Sequence, residues 1–414
     1  MPEVKPGSVK FEEAISFYRK KLKIPTEHWD DMLGQAHAKA FTVAGATKAD
    51  LLSDLHQSVK SAIENGESIG QFRKRFDKIV QDHGWTYNGK RGWRTRVIYD
   101  TNLRTAHMAG RWQQIQRTKK NRPYLQYLTA GDLRVRPQHN AWNRMVLMID
   151  DEWWISHYPP NGWGCRCTVR TLSQRQMERE GVTVSDTPFI KTTERINPTT
   201  GESYGEVAEG IDVGWDYNVG QAWLGPDISF GEKLMQMPEA MRTPALKSAH
   251  DLAQNFQAEF APWVNKLIKT KKPIGEIKTV GYLSPVVVDQ LTKRKLAPIT
   301  AVITVSDRDL VHAIRDAKDG KHLPLDLLRG IPDELTNPKA VLYDKRNPAL
   351  LYVFDIPGDS KEGKLVMHIN YKTKFRSDQG ERFKLKSNAV VTTGKVPLIN
   401  LKNQNFYDVI EGEL

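Results

Sequence analysis

Tyr158-Pro-Pro-Asn-Gly-Trp-Gly-Cys-Arg-Cys-Thr-Val-Arg-Thr171 holds both cysteines of the 414-residue chain. Cys165 and Cys167 are too close for an ordinary disulfide, whose Cα atoms sit ~4.4–6.8 Å apart in a relaxed geometry. On a strand the two face the same side, so they bind a metal, react or pack together rather than staple a loop. Pro159-Pro160-Asn161-Gly162 reads as a turn. Upstream, Asp132-Leu-Arg-Val-Arg-Pro-Gln-His139 adds a second polar cluster. If they converge, Asp132, His139, His157, Cys165 and Cys167 are acceptable ligands, and thiolate with imidazole suits zinc. The Cys-x-Cys spacing, however, is shorter than that of ordinary zinc fingers. The preferred alternative pairs Asp132 with Arg134, Arg136 and Arg166 in a buried ion network, leaving the cysteines as small core residues. Catalysis is a third reading.

Outward from this segment, the first third is helical. Leu51, Leu55, Val59 and Ile63 recur every four residues behind Thr47, which with Asp50 resembles a capping box. Ser68 starts a second helix with Ile69, Phe72, Phe76 and Ile79 on one face. A longer helix is expected from Trp93 to Arg117, with Val97, Leu103, Ala106, Ala109 and Trp112 on its buried face. Tyr124–Ala130 is β-prone. From Val182 to Asp227 periodicity is lost, and Phe189 and the run 211–220 are expected to act as isolated anchors. A helical segment over 234–267 ends in Lys266-Leu-Ile-Lys-Thr-Lys-Lys-Pro273, which reads as a linker in preference to a polyanion contact.

Beyond Ile274 the pattern changes. Ile299–Val305, Ala340–Tyr343, Leu350–Ile356, Leu365–Tyr371 and Ala389–Val391 read as strands. A helix over 307–319 is capped by Ser306 and carries Leu310, Val311 and Ile314. A helix followed by four consecutive strands implies a small antiparallel sheet with a helix on one face. The fold class is α+β. Net charge is +12, which favours a polyanionic partner, with nucleic acid first. No run approaches the ~18 apolar residues of a membrane span. The first residues lack the apolar core of a signal peptide. With so few cysteines, this leads to an expectation of cytoplasmic folding and no membrane anchor.

Two resemblances follow. Arg96-Val-Ile-Tyr-Asp-Thr-Asn-Leu-Arg-Thr-Ala-His-Met-Ala-Gly-Arg111, the polar cluster through Cys167, and Gly-Ile-Asp-Val-Gly-Trp-Asp-Tyr-Asn-Val-Gly at 210–220 together resemble the Mu F-type minor head proteins of tailed phages. That resemblance covers about residues 10–230. It implies a head morphogenesis protein carried in few copies inside the virion near the portal, with portal and capsid proteins as partners.

Asp309-Leu-Val-His312, Lys321–Asp326, Ile331–Pro338, Lys386-Ser-Asn388 and Thr392-Thr393-Gly394 are similar, in order, to phage-borne members of the barnase–EndoU–colicin E5/D–RelE superfamily of nucleases. This second resemblance covers about residues 278–414. It implies a helix on a four-stranded antiparallel sheet, metal-free RNA cleavage, a toxin role and an immunity protein as partner. Cleavage of that kind needs a base, an acid and cations or N–H donors around the phosphorane. His312 is the first acid/base candidate, followed by His322 and His368. Lys386, Thr392 and Thr393 complete the catalytic set, and Lys372, Arg376 and Lys384 would hold nucleic acid. The chain carries Asp316 where a second helix histidine is expected, so either His322 takes that place or the acid–base pair is incomplete and activity is reduced or lost. The expected domains are 1–175 (helical with a small β portion), 176–230 (extended wrap), 231–275 (helical linker) and 276–414 (nuclease-like).

Overall fold

The computed structural model describes residues 10–224, 227–252, 256–314, 322–376 and 382–414. The chain divides into two compact units, Met1–Gly225 and Pro226–Leu414.

In the first unit, α1 (Glu12–Arg19), α2 (Ala49–Asn65), α3 (Ile69–His83) and α4 (Arg91–Thr118) build a helical layer. Leu51, Leu55 and Val59 are buried on α2 as their spacing requires. Its N-cap is Lys48 without a side-chain bond, so the capping box expected at Thr47 and Asp50 does not form. The box forms instead on α3, where the Ser68 and Gln71 side chains each bond the other's backbone N–H. Phe72 and Phe76 are buried behind it.

On α4 the buried face runs through Ile98, Thr105, Ala109, Trp112 and Ile115, while Val97 and Leu103 are only partly buried. Polar residues share that face because the helix itself satisfies them. Asn102 Nδ2 donates to the Ile98 carbonyl at 2.9 Å, and Thr105 Oγ1 to the Thr101 carbonyl at 2.8 Å. Gly110 lets α1 cross closely, since a Cβ there would lie 2.7 Å from the Ala14 nitrogen.

After α4 comes a three-stranded antiparallel sheet. β1 (Tyr124–Leu128) is central, flanked by β2 (Val146–Met148) and β3 (Thr168–Leu172). Two short helices, α5 (Pro137–Ala141) and α6 (Trp153–His157), sit in the connections. The stretch expected to be an irregular wrap contains a hairpin, β4 (Thr192–Ile196) with β5 (Ser203–Ala208), and a short helix α7 (Val219–Leu224). Ile211, Trp215 and Tyr217 are buried pegs, but Phe189 is 92% exposed and anchors nothing.

The second unit starts earlier than its strand pattern suggests. α8 (Ile228–Gln236), α9 (Glu239–Leu252) and α10 (Gln257–Thr270) belong to it and are not a linker. Phe230, Leu234, Leu246, Phe260 and Val264 are buried. A Cβ on Gly231 would meet Thr300 Oγ1 at 2.2 Å, so α8 lies directly against the sheet.

The strands are β6 (Ile277–Tyr282), β7 (Val302–Ser306), β8 (Ala340–Asp344), β9 (Ala349–Phe354), β10 (Lys361–Arg376), β11 (Arg382–Pro397) and β12 (Tyr407–Gly412). Their order is β12-β8-β9-β10-β11-β7-β6, antiparallel except for the β11–β7 pair. The sheet therefore has seven strands, not the four expected, and it is mixed. Buried Asn388 ties the parallel pair together, with Nδ2 donating to the Thr300 and Val302 carbonyls at 2.7 and 3.0 Å. β9 stops pairing with β10 at His368, and β7 with β11 at Asn388. Beyond these points β10 and β11 pair with each other alone, from Tyr371↔Ser387 to Arg376↔Arg382, as a two-stranded ribbon.

α11 (Pro285–Lys293) and α12 (Asp307–Ile314) complete the elements used below. Among the described residues, no helix is long and apolar enough to cross a membrane.

Candidate functional sites

The polar cluster of the first unit separates into two layers. The pleat entering β3 turns Cys165 and Cys167 inward and Arg166 outward. Outside, Arg166 donates to both Asp132 oxygens at 2.7 and 2.5 Å, and Arg134 adds a bond at 3.0 Å. The Arg166 bonds hold the Asp132 carboxyl well below the usual carboxylate range, with Arg134 adding to the effect. Asp132 is thus committed to arginine and is no ligand.

Arg136 does not join that pair. It grips Asp212, with Nη1–Oδ1 at 3.0 Å and Nη2–Oδ2 at 2.8 Å, while Asp212 Oδ2 also accepts the Trp163 N–H at 2.8 Å. Gly162 is required beneath this bridge, since a Cβ would fall 2.2 Å from Arg136 Nη1. The expected buried network is therefore two bridges, both partly exposed.

Inside lie His139, Cys165 and Cys167, 2%, 7% and 8% exposed. His139 Nε2 is 2.8 Å from the Gly210 carbonyl, and its Nδ1 lies 3.7 Å from Cys165 Sγ and 3.5 Å from Cys167 Sγ. The ring stacks on Trp142 at 5.1 Å. A hydrogen bond between the two sulfurs pulls the Cys165 thiol down and pushes Cys167 up, burial adding to the rise of Cys167. Both cysteines are free thiols.

His157 stays outside the trio. It stacks on Trp153 at 4.2 Å, bonds Ser156 Oγ through Nδ1, and is lowered to about 4 by burial. Gly210 and Asp212 were missed as partners of His139 and Arg136. Their motif is visible in the sequence, but nothing in it names a partner some 70 residues upstream (separations of 71 and 76).

In the second unit, a cavity of about 850 Å³ is lined by Gly275 and Glu276, by Ser306 to Asp309, by Val311 and His312, and by Tyr371 to Lys374. Arg308 and His312 are exposed and one helical turn apart on α12. Buried Asp307 shapes the floor, since its Oδ2 accepts the N–H groups of Ile274, Gly275 and Glu276 at 2.6, 2.8 and 3.0 Å. Burial raises the Asp309 carboxyl, which accepts a bond from Ser306 Oγ at 2.5 Å.

His312, Lys372 and Lys374 thus meet at one cavity, and Lys386 pairs with Lys372 across the ribbon. Thr392 and Thr393 do not join them. They pair with Val366 and Leu365, some 20 Å along the strand from Lys386 at ~3.4 Å per residue. That separation corrects the expectation of a single catalytic cluster including both threonines, because acid, base and phosphate ligand must all reach one substrate. His368 is partly buried, 5.6 Å from the Tyr371 ring, and does not line the cavity. His322 is exposed and engaged in a contact of its own. The backbone pairs Lys384 with Lys374 and Arg382 with Arg376, while the side chains of Arg376 and Lys384 lie outside the described residues, as does Asp316.

An inward Cys-x-Cys beneath the Arg166–Asp132 bridge thus enters a small sheet that follows four helices in the chain. The span from α2 through β3, residues 53–170, matches the family described as phage Mu protein F like protein. The putative capsid assembly protein F of Escherichia phage Mu is 32% identical over 369 residues, covering 83% of each chain. The Mu-like prophage FluMu F protein of Haemophilus influenzae is 28% identical over 424 aligned residues, 94% of this chain and 99% of that one. The chain belongs to the phage Mu F-like family. No solved structure matches it.

Proposed function

We propose that this chain acts in assembly of a phage head, as a minor capsid component within the virion near the portal, with portal and capsid proteins as partners. The similarity to the Mu protein named for capsid assembly carries this reading. A match over 94% of the chain necessarily runs through both units. The second unit is therefore shared with a relative and is not a payload peculiar to this chain. Its role in this reading is to hold nucleic acid on the basic ribbon. Lys372 faces Lys386 across the ladder, and such a like-charge pair is unfavourable until a polyanion screens it. Mass spectrometry of purified heads should detect peptides from both units, and their absence would refute a virion component.

One observation favours a second reading, metal-independent RNA cleavage by the second unit. His312 shares its cavity with Arg308, Lys372 and Lys374, which supplies one proton-transfer group and three cations. An immunity partner would accompany a toxin role. If so, the full-length protein cleaves RNA in chelator-containing buffer and His312→Ala abolishes cleavage. Intact RNA under those conditions rejects this reading and leaves binding alone.

A further inference from the structure

We propose that His139 Nδ1, Cys165 Sγ and Cys167 Sγ form a zinc site that clamps the first unit, with a solvent molecule in the fourth coordination position. Among the described residues, this is the one trio of potential ligands drawn together and buried, with donor atoms all within 4.8 Å of one another.

Two features of the site point to a metal rather than to plain packing. First, the carbonyl of Gly210 can only accept, so the proton of neutral His139 sits on Nε2 and the Nδ1 lone pair faces the sulfurs. A ligating imidazole is commonly fixed by such a second hydrogen bond. Second, one lone pair makes one strong hydrogen bond, yet two sulfurs stand nearly equidistant from Nδ1, at 3.7 and 3.5 Å. A tetrahedral zinc with Zn–S ~2.3 Å and Zn–N ~2.0–2.1 Å places nitrogen and sulfur about 3.6 Å apart. Both observed separations fit that edge.

Two thiolates and one neutral imidazole balance a dication and suit zinc over harder ions. The unusual Cys-x-Cys spacing works because the pleat puts both sulfurs on the inner face while Arg166 points out to Asp132. The site joins three stretches far apart in sequence: α5 through His139, the entry to β3 through the cysteines, and the segment after β5 through Gly210.

The test is elemental analysis of full-length protein expressed with zinc and purified without a metal-affinity step. About one zinc per chain is expected, falling at least ~10-fold in Cys167→Ser. The cobalt-exchanged protein should show sulfur-to-cobalt charge-transfer absorption that Cys167→Ser loses. Should the variant fail to fold, the unmodified protein still decides the matter: its two thiols should resist a thiol reagent until a strong chelator is added. Less than about a tenth of a metal atom per folded chain would overturn the site. So would thiols equally reactive with and without chelator, or zinc content indifferent to Cys167→Ser.

Discussion

His56 lies between Tyr18, stacked at 4.7 Å, and Phe41, edge-on at 5.1 Å. Its Nε2 is buried without a hydrogen-bond partner among the described residues. Burial first, then Lys23, Lys21 and Lys60, lower its pKa from 6.5 to about 4. Because the folded value lies below the unfolded one, the unfolded chain binds more protons between the two. Stability is fully present above about pH 6.5 and is lost as pH falls toward 4. Thermal melts of the wild type should therefore drop in midpoint over that window, and His56→Phe should flatten the drop. Parallel curves for the two proteins would reject this assignment. Glu334 has the opposite sign. Burial, with Asp333 and Asp355, raises it to about 7, so its contribution is present below about pH 4.5 and is lost as pH rises through 7.

At this scale the sequence showed the residue types and concealed their partners. The pairing of Asp132 with Arg134, two residues on, and with Arg166 in the neighbouring polar cluster was legible. Arg136 was expected in the same network, yet its carboxylate is Asp212, brought in by the fold.

Among elements, α4 depends on a residue without a side chain. Gly110→Ala would drive a methyl into the backbone of α1 at Ala14. Neither backbone can yield cheaply, so a loss of about 1–3 kcal/mol is expected in denaturant melts, whereas Gly92→Ala, with open space around it, should cost less.

The ribbon formed by β10 and β11 makes a different prediction. Lys372, Lys374 and Lys386 are exposed, so replacing all three with Gln should weaken nucleic-acid binding uniformly across sequences. Each lost phosphate contact should lower the slope of log affinity against log salt by ~0.7–0.9. Unchanged affinity and slope would move the interface elsewhere. The alternation of cations along 372–376 was readable, but strand length was not. Leu365–Tyr371 was the visible β-prone core, and the ribbon beyond it exists because its two strands have each other to pair with. On α4 the helix was legible and its buried face was partly misassigned, because Asn102 and Thr105 look solvent-seeking until their own helix accepts their hydrogen bonds.

For the whole molecule, the boundary between the units matters most. The lysines before Pro273 suggested that a domain begins after them, but the apolar faces of α8, α9 and α10 cover the second unit's core. A fragment of residues 276–414 should aggregate or melt without cooperativity, whereas residues 227–414 should unfold in a single transition. Equal behaviour of the two fragments would contradict that boundary. The sheet was underestimated for a related reason. β6 contains Gly281 and β12 carries Asp408 and Glu411 and ends at Gly412, so both gain strand character from their neighbours more than from propensity. The family resemblance of the first unit was readable because it rests on local motifs, from the α4 helix through Cys-Arg-Cys to residues 210–220.

The most direct test of a role in head assembly deletes the gene from the phage or prophage that carries it and counts heads in induced lysates by electron microscopy. The account predicts few complete heads and little infectivity, both restored by the full-length chain supplied in trans. A normal yield of filled, infectious particles without the gene would contradict it.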